Sequence, residues 1–190
     1  KVDWRDGTTI PFLGEPVTFE LIQVPDGATG QQLSVTSATT DEAGKTSSVL
    51  TLGNKAGTYV VQASSGSLTV QATATALADQ PHHLAISGPH SVRAGEVSSV
   101  FTVQVEDTHG NVSPVTPQTR LALSTSASSG VLSDPAGTSA ITHLTLEPGQ
   151  HTAQFAYRDP VVGNPELRLE RTQGETLAIA STTKSVTVLP

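Results

Sequence analysis

The sequence predicts an all-β protein built as two tandem antiparallel β-sandwiches, the first of them N-terminally short. Three observations carry this expectation. Apolar residues recur at every second position in short runs, turn residues separate those runs at intervals of roughly 8–12 residues, and helical periodicity is almost absent from the 190 residues. Ser and Thr make up about a quarter of the chain. Their short hydroxyl side chains suit the solvent face of a sheet and, with the alternating Val and Leu, argue against disorder.

The runs follow in order. Val17, Phe19 and Leu21 alternate with Thr18, Glu20 and Ile22. Ser48, Leu50 and Leu52 share one face of a second run, and Tyr59, Val61 and Ala63 one face of a third. From Leu68 to Ala76, Leu, Val and Ala oppose Thr and Gln without a break, so each run is expected to bury one face and wet the other. The second half repeats the grammar. Leu84 and Ile86 open it, and Phe101, Val103 and Val105 alternate with Thr102, Gln104 and Glu106. Leu121 with Leu123, Leu144 with Leu146, Ala153 with Phe155 and Tyr157, Leu167 with Leu169, and Val186 with Val188 complete it.

Turn chemistry lies between the runs, at Asp41-Glu42-Ala43-Gly44, at Ala56-Gly57, across 107–111, at Glu147-Pro148-Gly149 and at Gly163-Asn164-Pro165. Gly and Asn supply positive φ there, and Pro stops a ladder from continuing. A boundary is expected near Ala78-Asp79-Gln80-Pro81, giving domains of 1–80 and 81–190 joined by a short, semi-rigid linker.

Composition excludes whole classes of function. With no Cys there is no disulfide framework, thiolate metal site or thiol nucleophile. The net charge is −7, and the 10 Lys plus Arg are scattered singly, so no nucleic-acid partner is expected. No apolar run approaches the ~20 residues of a membrane helix, so no membrane insertion is expected. The chain contains no Met, and Lys1 is expected to be a processing or cloning boundary inside a longer polypeptide. No nucleophile elbow, zinc-protease helix, phosphate loop or dinucleotide fingerprint occurs. No catalytic, cofactor-binding or metal-binding residue is assigned, and the chain is expected not to be an enzyme.

The remaining candidates for chemistry are individual residues. His82, His83 and His90 cluster around the strand opened by Leu84, but neighbours on a strand face opposite ways and cannot chelate one ion together. His109 falls in a turn, and His143 and His151 fall on strands. Glu106, Asp107 and Asn111 share one loop and Asp79 lies in the linker. They could offer oxygens to a structural Ca²⁺, although a calcium loop sets several carboxylates at alternate positions and these are isolated. No cofactor is expected. Lys184 is the one lysine placed for an intramolecular cross-link, Asn111-Val112-Ser113 matches a glycosylation sequon but precedes Pro114, and Leu189-Pro190 reads as linker.

One set of residues carries a family likeness. Pro16-Val17-Thr18-Phe19-Glu20-Leu21, Thr40-Asp41-Glu42-Ala43-Gly44-Lys45, Leu50-Thr51-Leu52-Gly53 and Ala56-Gly57-Thr58-Tyr59-Val60-Val61-Gln62-Ala63 resemble the bacterial immunoglobulin-like repeats of invasin- and intimin-type surface proteins. In the second half, Phe101 to Asp107 leading into Gly110-Asn111, and Gly149 preceding Phe155-Ala156-Tyr157, are similar to the same repeats. The resemblance implies an Ig-like fold and a non-catalytic role as stalk, spacer, adhesive arm or filament building block at a bacterial surface or in a secreted protein. Its implied partners are neighbouring Ig-like domains of the same protein, a strand exchanged with another subunit, or a surface receptor. Antibody-type hallmarks are missing, because there is no Cys pair and Trp4 is the only Trp. An accessory carbohydrate- or protein-binding region of an extracellular enzyme is the alternative. Sugar platforms need exposed aromatic rings, and the 1 Trp, 2 Tyr and 4 Phe mostly occupy core-facing positions.

Such repeats carry two leading strands before the segment that starts at Pro16. Here only Val2-Asp3-Trp4 can be the tail of the second. The first sandwich is therefore expected to lack its leading strand or strands, either because the sequence begins inside a repeat or because another chain supplies them.

Overall fold

The computed structural model describes residues 12–172 and 179–190. It is all β, and the chain divides into two compact units, Lys1–Leu77 and Ala78–Pro190.

The first unit holds β1 (Pro16–Gln23), β2 (Gln32–Leu33), β3 (Ser37–Thr39), β4 (Leu50–Thr51), β5 (Gly57–Ser65) and β6 (Leu68–Ala76). One sheet runs β3-β1-β5-β6, and β2 and β4 form a separate two-stranded sheet. β5 and β6 pair antiparallel without interruption from Gly57↔Ala76 to Ser65↔Leu68. Only Gly66 and Ser67 connect them, and Gly66 takes φ 57°. That is the left-handed geometry a two-residue hairpin loop demands. In the Asp41 turn, Oδ1 accepts the N–H groups of Ala43 and Lys45, each at 2.9 Å, and Gly44 takes φ 71°. Tyr59, fully buried, donates its hydroxyl to the carbonyl of Lys55 at 2.8 Å. This gives the ring an apolar socket and its one polar atom a partner.

The second unit contains β7 (His83–Ser87), β8 (Ser91–Arg93), β9 (Phe101–Glu106), β10 (Thr119–Thr125), β11 (Val131–Ser133), β12 (His143–Leu146), β13 (Thr152–Arg158), β14 (Glu166–Arg171), β15 (Thr182–Ser185) and β16 (Thr187–Leu189). Its two sheets run β12-β10-β14-β15 and β11-β13-β9-β7. Their inner faces meet in one core: Phe101, Val103 and Val105 from one sheet, Leu121, Leu167 and Leu169 from the other, all fully buried. The rings of Phe101 and Phe155 stack at 5.2 Å with 14° between their planes. Gly88 is required beside them, since a Cβ there would lie 2.6 Å from Cδ1 of Phe101. The closing run of Val186 and Val188 ends in a strand as expected, and that strand extends to Leu189, which was expected to be linker. β16 pairs in parallel with β8, Val188 opposite Val92, because Val186 and Val188 have core positions to fill.

The two units share one wiring. β1, β3, β5 and β6 are connected as β10, β12, β14 and β15 are, and β2 with β4 corresponds to β11 with β13. Among the described residues, the first unit has no counterpart of β7, β8 or β9. Val2, Asp3 and Trp4, expected to be the tail of a leading strand, lie outside the described residues. The sequence-based expectation that every run buries one face fails on β6, where Leu68 is 72% and Val70 66% exposed. Strand alternation prepares a face for burial, but the two-residue strands β2 and β4 are too short to cover it. Of the 21 buried apolar side chains among the described residues, only Tyr59 and Val60 belong to the first unit.

Candidate functional site

The polar side chains that the sequence marked for chemistry are spent on holding backbone. Asp107 is fully buried at the end of β9. Its Oδ1 accepts the N–H groups of His109 at 2.8 Å and Asn111 at 2.9 Å. Its Oδ2 accepts the Asn111 side-chain amide at 2.8 Å and the N–H of Asp79 at 3.0 Å. Ser113 Oγ then donates to the Asp79 carbonyl at 2.6 Å. Burial by itself would push the Asp107 carboxyl up. The Asn111 amide outweighs it, together with the N–H groups of Asn111, Asp79 and His109, and the carboxyl sits well below the usual carboxylate range. Three of the four residues named as Ca²⁺ donors thus do converge, but four N–H donors occupy the carboxylate. Glu106 turns the other way, being the last residue of β9, and its Oε2 meets His83 Nε2 at 3.0 Å.

A second cluster was not foreseen. Asp159, also buried, accepts Ser129 Oγ at 2.6 Å, Tyr157 OH at 2.9 Å and the N–H of Val161 at 3.0 Å. Burial opposes its charge. The bonds from Ser129, Val161 and Tyr157 prevail and hold its carboxyl below the ordinary value. For Tyr157, burial chiefly, then the adjacent Asp159 carboxylate, push the phenol up to about 12, against a lowering contact from Thr125. A shallow polar pocket lined by Ser126, Ser129, Asp159, Val161 and Asn164 opens beside this cluster. The available signal in the sequence was an Asp directly after a strand and before Pro160, the same turn-opening position that Asp41 and Asp107 occupy. Asp134 repeats the device a fourth time, outside the core. Its bonds to the Thr138 hydroxyl and N–H lower its carboxyl.

The histidines are dispersed. His82 precedes β7 and so escapes strand alternation. Its ring lies edge-on to that of His83, with centroids 5.9 Å apart, rather than on the opposite face. His143 sits on β12 with Nδ1 2.9 Å from Thr142 Oγ1, while His151 falls just before β13, not on it. No group of three or more His, Asp or Glu side chains among the described residues is arranged to hold a metal ion. Lys184 stands opposite Leu167 on the edge strand β15. The Asn111 side-chain nitrogen of the sequon is engaged by Asp107.

An apolar concavity lies in the first unit. Phe19, Leu33, Leu50, Val61, Val70 and Ala72 line a groove between β6 and β4. Its floor is the inner face of the main sheet, and it runs along the edge of β4 that has no partner strand among the described residues.

The described residues form two immunoglobulin-like β-sandwich units, and in the second of them buried carboxylates fasten turns. No family model and no curated protein matches the chain. Among solved structures, the D0-D1 domains of intimin align with all of the chain and 87% of their own length, at 17% identity and a TM-score of 0.38. Domains 4 and 5 of the S-layer protein SbsC align with 71% of the chain and 66% of theirs, at 18% identity and TM-score 0.40. A β-glycosidase from Bacteroides vulgatus aligns with 92% of the chain at 15% identity and TM-score 0.47, and the chain spans only 21% of that enzyme.

Proposed function

We propose that the chain is a non-catalytic structural module of a bacterial cell-surface or secreted protein, acting as a spacer that transmits tension between its neighbours. The observation that carries this reading is the way the second unit ties down its two ends. At its C-terminal end, β16 lies parallel to β8, with Thr187 N–H on the His90 carbonyl at 2.9 Å and Ala94 N–H on the Leu189 carbonyl at 2.7 Å. At its N-terminal end, β7 pairs with β9 from His83↔Glu106 to Ser87↔Thr102. Before that strand, Asp79 is pinned by Asp107 and Ser113. A pull along the chain would slide both terminal strands lengthwise, loading their hydrogen bonds together instead of peeling them one at a time. The resemblance to invasin- and intimin-type repeats supports the same role and an extracellular location.

Single-molecule pulling of the chain between two handles tests it. The second unit is expected to unfold in one high-force event. Thr187→Pro, which removes the N–H that bonds His90, is expected to lower that force while leaving the unit folded at zero load. Unfolding of the unaltered unit at the force of a peeled hairpin would refute the reading.

A further inference from the structure

The main sheet of the first unit ends on one side in β6. That strand pairs with β5 along its whole length and has no partner on its other side among the described residues. Ser65 and Leu68 close a two-residue loop, so they exchange both their hydrogen bonds and set the alternation of the ladder. Leu68, Val70, Ala72, Ala74 and Ala76 therefore bond β5, while Thr69, Gln71, Thr73 and Thr75 turn their N–H and C=O groups outward. Proteins ordinarily guard such an edge with charge, proline, a bulge or brevity. The other edges of the four-stranded sheets are short: β3 and β11 have three residues, β12 and β15 four, and β7 five. β6 has nine, its register is unbroken, and it carries no charge and no proline.

We propose that this edge pairs with the same edge of a second copy of the chain, antiparallel and centred on Ala72. In that register β6 is complementary to itself. Leu68 meets Ala76, Val70 meets Ala74 and Ala72 meets its own copy, so that on the apolar face large stands beside small. Thr69 meets Thr75 and Gln71 meets Thr73 on the polar face. The outward residues of the two copies fall opposite one another, and each unused N–H finds an unused C=O. Leu68 and Val70, both exposed on β6, gain apolar neighbours. Charge selects a second copy as the occupant. The net charge of −7 sets two copies against each other, yet no charged residue occurs from 56 to 78, so this edge is where they approach at least electrostatic cost. A two-fold axis at Ala72 closes the contact, which stops at a dimer. No strand is exchanged, and the pairing does not depend on the spacer role.

Sedimentation equilibrium of the whole chain tests this. A reversible monomer–dimer equilibrium is expected between about 1 µM and 1 mM. Thr73→Pro deletes an outward N–H and spares the β5 ladder, a place where an edge strand tolerates proline. It removes one bond in each half of the junction and is expected to weaken the dimer about tenfold. Ala72→Lys sets two ammonium groups side by side at the axis, and Ala72→Glu two carboxylates. Each is expected to be monomeric alone, and an equimolar mixture of the two is expected to dimerise again. A chain that stays monomeric throughout that range, association that runs on past the dimer, or a dimer as tight with Thr73→Pro would each overturn the proposal. So would folded Ala72→Lys and Ala72→Glu chains that fail to rescue each other. The unaltered chain needs no variant, so its sedimentation decides the matter even where a substituted chain fails to fold.

Discussion

Removing the Asp107 carboxylate should loosen the start of the second unit in a way that can be read at named amides. Asp107→Ala deletes an acceptor of four hydrogen bonds from His109, Asn111 (twice) and Asp79. Bonds to a charged group are worth about 1.5–3 kcal/mol each, but the donors of an exposed turn recover part of this from water. A loss of about 3 kcal/mol for the second unit is therefore expected. The pH dependence follows from the sign of the shift. The folded carboxyl titrates below its unfolded value, so its contribution is complete above the unfolded value near 4 and is lost as pH falls below it. Asp107→Asn should accordingly flatten the acid limb of the stability curve below about pH 4. Urea unfolding supplies the free energy, and hydrogen exchange locates it in the amides of Asp79, His109 and Asn111. Stability within about 0.5 kcal/mol of the unaltered chain, the range of a bland surface change, together with unchanged protection at those three amides, would refute this account of the turn.

Three further outcomes are expected. Phe155→Ala removes one ring of the buried Phe101–Phe155 stack and should cost the second unit about 3–5 kcal/mol in urea unfolding. Tyr59→Phe keeps the ring but loses the bond to the Lys55 carbonyl; a cost of about 1 kcal/mol, confined to the first unit's transition, is expected in calorimetry. Asp159→Asn should bring the Tyr157 phenol down from about 12 in a spectrophotometric titration, since the adjacent carboxylate is one of the causes holding it up.

The sandwich was legible in the sequence where burial and alternation coincide. Phe101, Val103 and Val105, or Leu167 and Leu169, announce a core strand because each has a full sheet opposite it in the fold. Leu68 and Val70 carry the same pattern on β6 and are exposed, because alternation records which face is apolar and not what covers it. Strands of three residues, such as β8 and β11, are shorter than any periodicity can register. Leu189 was read as linker because its partner, Arg93, lies in a distant part of the chain. The Asp107 cluster was half legible. Composition located its residues, but whether a cation or a set of N–H groups neutralises a buried carboxylate is decided by how the backbone turns at 107–111.

The parallel pairing of β16 with β8 also sets the order of events when the protein is made. Val92 emerges early in the second unit and Val188 at its very end, yet the two stand side by side and both are buried. The core around Phe101 and Leu121 is complete only once that last strand, with Val186 and Val188, is in place. With no cysteine to be oxidised along the way, nothing covalent has to wait for that moment.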